Sequence, residues 1–194
     1  MNNYKRYSRI MTLSVTSFFV LSFDNPAHEQ DEIYWSPDKV LSWRDFQGIP
    51  NYGCGYSAIT SSGIEYDCQA KGDCFTITVR SEFFKKESWV KAIAMDSGGL
   101  KHEQGHFDIA EVYARKFRKA ISETSFSSLN IKYKLKNLYT INTNAWGYEE
   151  ELYDKETEHH KNRTKQYLWN ERIASELKEL KNYSSPSISD YLHY

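Results

Sequence analysis

An α+β fold, with an antiparallel sheet drawn from the N-terminal half and helices from the C-terminal half, follows from two hydrophobic periods along the chain. Phe75, Ile77, Val79, Ser81 and Phe83 alternate with Thr76, Thr78, Arg80 and Glu82, the period of a strand with one apolar and one wet face. From Leu100 the period lengthens. His102, His106, Ile109, Ala110, Tyr113, Phe117, Ala120 and Ile121 recur at steps of three and four, which stacks them along one side of a helix. His159, Gln166, Trp169, Ile173, Leu177 and Leu180 form a similar stripe, predicting one long C-terminal helix over roughly Glu149 to Leu180.

The remaining elements are read in chain order. Lys5, Arg6 and Arg9 precede an uncharged run from Ile10 to Phe23, the layout of a secretory signal peptide over residues 1–22. That run is shorter than the about 20 apolar residues a membrane span takes. No Cys follows it to carry a lipoprotein anchor, so a secreted or periplasmic domain is expected, with no stable membrane span after cleavage. Residues 23–32 read as a polar linker, 33–183 as the folded domain and 184–194 as a flexible tail. The β-branched and aromatic stretch from Tyr56 to Tyr66, broken at Ser61-Ser62-Gly63, supplies one bent strand or two short ones. Ser97-Gly98-Gly99 gives the first helix a flexible entry, and Thr124 to Tyr139 reads as loop or short strand.

The chain has 194 residues, enough for one domain, and its 25 Lys and Arg against 26 Asp and Glu give no positive field to attract a nucleic acid. Three cysteines, Cys54, Cys68 and Cys74, sit in a chain read as exported, where disulfides persist. Cys68 and Cys74 flank the turn Ala70-Lys71-Gly72-Asp73, which suggests a hairpin clip. A zinc–thiolate site lacks both C-x2-C spacing and an adjacent His. Trp43, Trp89 and Trp169 read as core anchors.

Chemistry concentrates in His102-Glu103-Gln104-Gly105-His106. Two His four residues apart lie one turn apart on the same helix face, so both imidazoles can reach one zinc ion. Glu103, turned about 100° from His102, can hold a proton acceptor beside the metal without ligating it. Two hydrogen-bonded core histidines are the plain alternative. Catalytic zinc takes three protein ligands and keeps an open corner. Asp108 and Glu111 point away from the His face, and Ile109 and Val112 stand where an extended H-E-x-x-H-x-x-G-x-x-H motif needs Gly and His. His159 continues the second stripe while His160 turns about 100° away, so His159 is the expected third ligand, with Asp154 or Glu156 as its substitutes. Glu149-Glu150-Glu151 reads as a solvated, dipole-compensating helix start. Tyr153, His160 and Arg163 are weaker candidates for an oxyanion donor.

Trp43-Arg44-Asp45-Phe46-Gln47-Gly48, Ser88-Trp89-Val90, Leu100 to Arg115, and Tyr153-Asp154 with Glu156-Thr157 and His159, then Gln166, Trp169 and Asn170, occur in an order that resembles a bacterial family of secreted zinc-dependent proteases, domain of unknown function 922. The resemblance covers most of the chain after the signal. It implies a zincin-like fold, zinc ligation by His102 and His106, Glu103 as catalytic acid/base, and the remaining ligand from Tyr153 to His159. The family pattern places Gly after that last His, where this chain has His160.

The expected activity is therefore hydrolysis of peptide bonds in a peptide or protein substrate, with zinc as cofactor. The competing expectation is a non-enzymatic cell-envelope binding protein whose metal site is structural or vestigial. Oligomeric state is not legible from these patterns.

Overall fold

The alternating segment becomes the central strand of the sheet. The computed structural model describes residues 31–191, so the expected signal peptide, residues 23–30 of the linker and the last three residues lie outside the described part. Strand β1 (Glu32–Tyr34) opens the domain, β2 (Ala58–Ile59) and β3 (Ser62–Lys71) follow, and β4 (Cys74–Phe84) returns antiparallel along β3. Phe75, Ile77, Val79, Ser81 and Phe83 are all buried, as the alternation requires. The break in the Tyr56–Tyr66 stretch resolves into two strands, because β2 leaves the main sheet to pair with β5 (Trp89–Val90).

The other edge of β4 is shared. β1 pairs with Tyr34 opposite Glu82, and β6 (Ser187–Tyr191) pairs with Ile188 opposite Ile77. The expected flexible tail is thus corrected: β6 finds a free edge on β4, and Pro186 accepts from the Val79 amide at 2.8 Å.

Helix α1 (Ser97–Ser122) lies between the sheet and two further helices, α2 (Ile131–Thr157) and α3 (Arg163–Glu179), so it is buried nearly all round. Ile77, Val79, Ile109, Phe117, Tyr153 and Trp169 belong to one core, while Leu41, Phe46, Phe83, Val90 and Phe107 fill a second beside it. Trp89 and Trp169 are buried anchors, and Trp43 packs half-buried at the edge of the second core. The Trp43–Gly48 segment holds the second core in place. Phe46 meets Phe83 edge-on at 5.1 Å, and the Gly48 amide donates to the Ser88 carbonyl at 2.7 Å. A Cβ on Gly48 would press to 2.8 Å from the carbonyls of Lys86 and Ser88, so this close approach needs glycine.

The C-terminal half corrects two expectations. The predicted long helix is two helices, because Glu158, His159 and His160 all take left-handed backbone, with φ of 51°, 51° and 68°. Asn162 then caps α3, its side chain accepting from the Lys165 amide. Thr124–Tyr139, read as loop or strand, instead enters α2 at Ile131. Packing of Leu135 and Trp146 into the core outweighs the β-leaning Thr and Ile residues of that stretch. No helix among the described residues is long and apolar enough to cross a membrane.

The cysteine clip is also corrected: all three cysteines are free. Cys68 lies opposite Ile77 and Cys74 opposite Lys71, three ladder positions apart, which is about 10 Å and beyond disulfide reach.

Candidate metal centre

The motif helix starts at a capped end. The Asp96 side chain accepts from the Gly99 amide at 2.8 Å, and that bond holds its carboxyl below the ordinary value. One turn further in, His102, Glu103 and His106 are 2%, 6% and 1% exposed, all on the part of α1 that α2 and α3 cover. Closeness of these helices depends on Gly105, where a Cβ would run into the Tyr153 phenol. That phenol stacks on the His102 ring, centroids 4.6 Å apart, and donates to the His102 carbonyl at 3.1 Å. Tyr153 is thereby committed inside the core, its one O–H spent on that carbonyl, so it does not face a substrate as an oxyanion donor, and burial raises its pKa.

Each imidazole is oriented through its Nδ1. His102 Nδ1 faces Gln166 Oε1 at 3.0 Å. The Gln166 amide is itself fixed, because its Nε2 donates to the Tyr153 hydroxyl at 2.7 Å and to Asn170 Oδ1 at 2.9 Å. His106 Nδ1 faces Glu150 Oε2 at 2.6 Å, and Glu150 Oε1 accepts from Trp146 Nε1 at 3.1 Å. Acceptors on both Nδ1 atoms call for Nδ1–H, so the neutral rings present bare Nε2 lone pairs. Those two lone pairs converge on one carboxylate oxygen, Asp154 Oδ1, at 3.1 Å from His102 and 3.0 Å from His106.

Three lone-pair carriers do not meet this way without a cation or extra protons between them. Burial lowers the pKa of His102, which disfavours the protonated answer for that ring. Burial pushes the Asp154 carboxyl up, and it stays low only where His106, His102 and His159 bring positive charge or N–H toward it, a part that a cation between them would take over if the rings are neutral. His159 Nδ1 lies 3.3 Å from the same Oδ1, and His102, Asp154 and His159 each offer a donor atom within 4.8 Å of the others. Donors about 2.0–2.1 Å from a tetrahedral zinc sit roughly 3.3 Å apart, so this spacing fits one ion. The imidazole and carboxylate chemistry of the set suits zinc equally well.

His159 arrives from a different direction than its expected stripe implied. It sits on the left-handed turn between α2 and α3, its side chain 49% exposed, its ring edge-on to Tyr56 at 5.3 Å. His160 turns instead toward Asp96, 3.9 Å away. Glu156, the other substitute ligand, is not brought to the histidines: it accepts from Trp169 Nε1 at 3.0 Å and faces Lys165. The Glu149–Glu151 reading is corrected, since Glu149 and Glu150 are buried in mid-helix, one paired with Arg172 and the other orienting His106. Asp108 and Glu111 are likewise neither ligands nor solvated: Asp108 accepts from Trp35 and Gln104, and Glu111 from Ser81, Arg115 and Arg118.

Glu103 completes the centre. Its Oε2 is buried and has no hydrogen-bond partner among the described residues, while its own carbonyl accepts from Thr60 Oγ1 at 3.2 Å. A buried carboxylate oxygen left unpaired is costly, which sets Glu103 apart from the hydrogen-bonded acids around it.

Comparison of the chain with known protein families, curated proteins and solved structures finds no match.

Proposed function

We propose that the protein is a zinc-dependent metallopeptidase of the secreted family its motifs resemble, with a zincin-like site that hydrolyses peptide bonds of polypeptide substrates. The carrying observation is the convergence of the His102 and His106 Nε2 atoms on Asp154 Oδ1, with Glu103 of the same helix turn keeping a buried Oε2 that has no hydrogen-bond partner among the described residues. His102, His106 and His159 hold the ion, as the motif and the turn suggest, and the geometry adds Asp154 to them. When bound, zinc supplies Lewis-acid polarisation of the substrate carbonyl and brings the pKa of water toward about 7.

The chain's own residues do the rest. Gln166 and Glu150 keep each imidazole in the ligating tautomer, and such partners commonly change metal affinity about 10–100-fold when removed. Glu103 Oε2 accepts the proton of the attacking water and returns it to the leaving amine nitrogen. His159, half exposed on its left-handed turn, would be the donor nearest to solvent and so lie on the side from which a substrate would approach. With an export signal ahead of the domain, the enzyme would act in the periplasm or outside the cell.

A second reading has its own support: His102, Asp154 and His159 lie mutually close and His106 meets the same Asp154 oxygen, so the donors could total four, the number a closed structural site uses in a binding protein. Glu103 separates the two. Elemental analysis of the purified protein, with a peptide-library cleavage assay run with and without chelator, tests the metal and the activity together. Glu103→Gln is expected to keep zinc and fold while turnover falls about 100- to 10,000-fold. Unchanged turnover in that variant would remove Glu103 from the mechanism, and a wild type that cleaves nothing with zinc bound would leave the structural reading standing.

A further inference from the structure

Helix α2 has a second face that the domain leaves bare. Tyr133, Ile141 and Tyr148 are 69%, 68% and 69% exposed, whereas Leu135, Trp146 and Tyr153 on the same helix are buried. Asn137, Asn144 and Glu151 fall between and beyond the three at steps of three and four, so all six form one stripe along the solvent side. From Tyr133 to Tyr148 the stripe runs about 22 Å.

The charges of α2 are arranged against its own dipole. Lys132 and Lys134 occupy the first turn, with Lys136 next and no acid among them, while Glu149, Glu150 and Glu151 lie in the second half. Cations at a helix N-terminus are unfavourable, so the isolated helix carries an uncompensated positive end. A copy of α2 laid antiparallel compensates it. With the twofold axis between residues 142 and 143, Ile141 of each copy meets Asn144 of the other, and Asn137 meets Tyr148. The exposed Glu151 of each copy then lies beside the exposed Lys132 and Lys136 end of the other. Gly147 adds an independent sign. Glycine weakens a helix interior, yet a Cβ here would meet nothing within 4 Å, so the domain's own packing does not require it. Gly147 adjoins Tyr148 at the margin of the exposed stripe, about one turn from the proposed twofold axis.

We propose that the protein forms a twofold homodimer through antiparallel α2 helices, with Ile141 at the centre and a Lys132/Lys136-to-Glu151 contact at each end. The inference does not involve the metal. Sedimentation equilibrium of the purified protein is expected to show a concentration-dependent dimer. Ile141→Glu should make it monomeric with an unchanged far-ultraviolet spectrum and unchanged zinc content. Glu151→Lys and the pair Lys132→Glu/Lys136→Glu should each raise the dissociation constant about tenfold, and all three changes together should restore it. A wild type that stays monomeric, including one that instead cosediments with vesicles, overturns the proposal. So does a dimer that Ile141→Glu leaves intact, or one in which the combined charge reversal fails to rescue.

Discussion

Two buried polar clusters sit on the same helix two turns apart, and they differ in whether the protein alone completes them. Glu111 is fully engaged: Oε1 accepts from Arg115 Nε at 2.8 Å and Arg118 Nη1 at 3.1 Å, and Oε2 from Ser81 Oγ at 2.7 Å and Arg118 Nη2 at 3.2 Å. The arginines spend their other donors on the carbonyls of Val79, Leu177 and Tyr183, which ties α1 to β4, α3 and the segment leading to β6. Both Glu111 oxygens are satisfied, and the two arginines share that one carboxylate and neutral carbonyls. At the His102–His106 end, two lone pairs face a carboxylate oxygen and one Glu103 oxygen faces nothing. A cluster that closes on itself is a clasp, whereas one left open in this way is the arrangement the proposed metal site requires.

Breaking the clasp should give the largest stability effect. Glu111→Ala leaves Arg115 and Arg118 buried without a counter-charge, at 5% and 2% exposure, and such a break costs about 3–5 kcal/mol. Denaturant unfolding should show the loss, while a variant still folded under assay conditions should bind zinc as the wild type does. A smaller loss, under about 1 kcal/mol, would mean that the cluster is relaxed by water and that the contrast with the metal end is weaker than drawn.

If the proposed centre takes zinc, adding the ion should give the next effect, and at the other cluster only. At a free zinc concentration about 100 times its dissociation constant, binding stabilises the fold by about 2.7 kcal/mol. Thermal unfolding should rise with zinc and fall with chelator. Asp154→Ala should lose that response because it removes the oxygen on which both rings converge. His159→Ala should weaken zinc binding far more than His160→Ala, since only His159 faces Asp154. The reverse ranking in a metal titration would remove His159 from the ligand set.

How much of this was legible follows from how local each signal is. His102, Glu103 and His106 are fixed relative to one another by a single turn of helix, so their spacing alone assembles half the centre. The strand period from Phe75 to Phe83 is equally local. Asp154 and Glu150 reach the site from α2, whose first turns fall in the polar, mildly β-prone stretch Thr124–Tyr139, and whose acidic run reads as a wet helix start. A carboxylate that orients a histidine carries no sequence mark distinguishing it from a solvated one; only the packing of α2 against α1 does so. His159 was reached through a stripe that the structure breaks, because three consecutive left-handed residues end α2 where periodicity continued. The β6 strand was obscured by a polar Ser-rich tail whose pairing depends on a free edge more than a hundred residues earlier in the chain.

The smallest effect sharpens the same contrast from the face of α1 that meets α2 between the two clusters. Tyr113 is pushed up to about 12, first by burial and then by the nearby carboxylates of Glu149 and Glu176, with Arg172 opposing. Because the folded value lies above the ordinary 10, the folded state holds this proton more tightly than the unfolded chain does. Its contribution to stability is constant below pH 10 and is lost as pH rises from 10 through about 12. Tyr113→Phe has no proton to lose, so its stability relative to the wild type should be level up to pH 10 and improve above it. Unfolding curves collected pairwise across that interval measure the difference directly, with the other tyrosines cancelling. A parallel decline in the two proteins would show that the Tyr113 phenol reaches solvent, and that the α1–α2 contact between the clusters is looser than the packing implies.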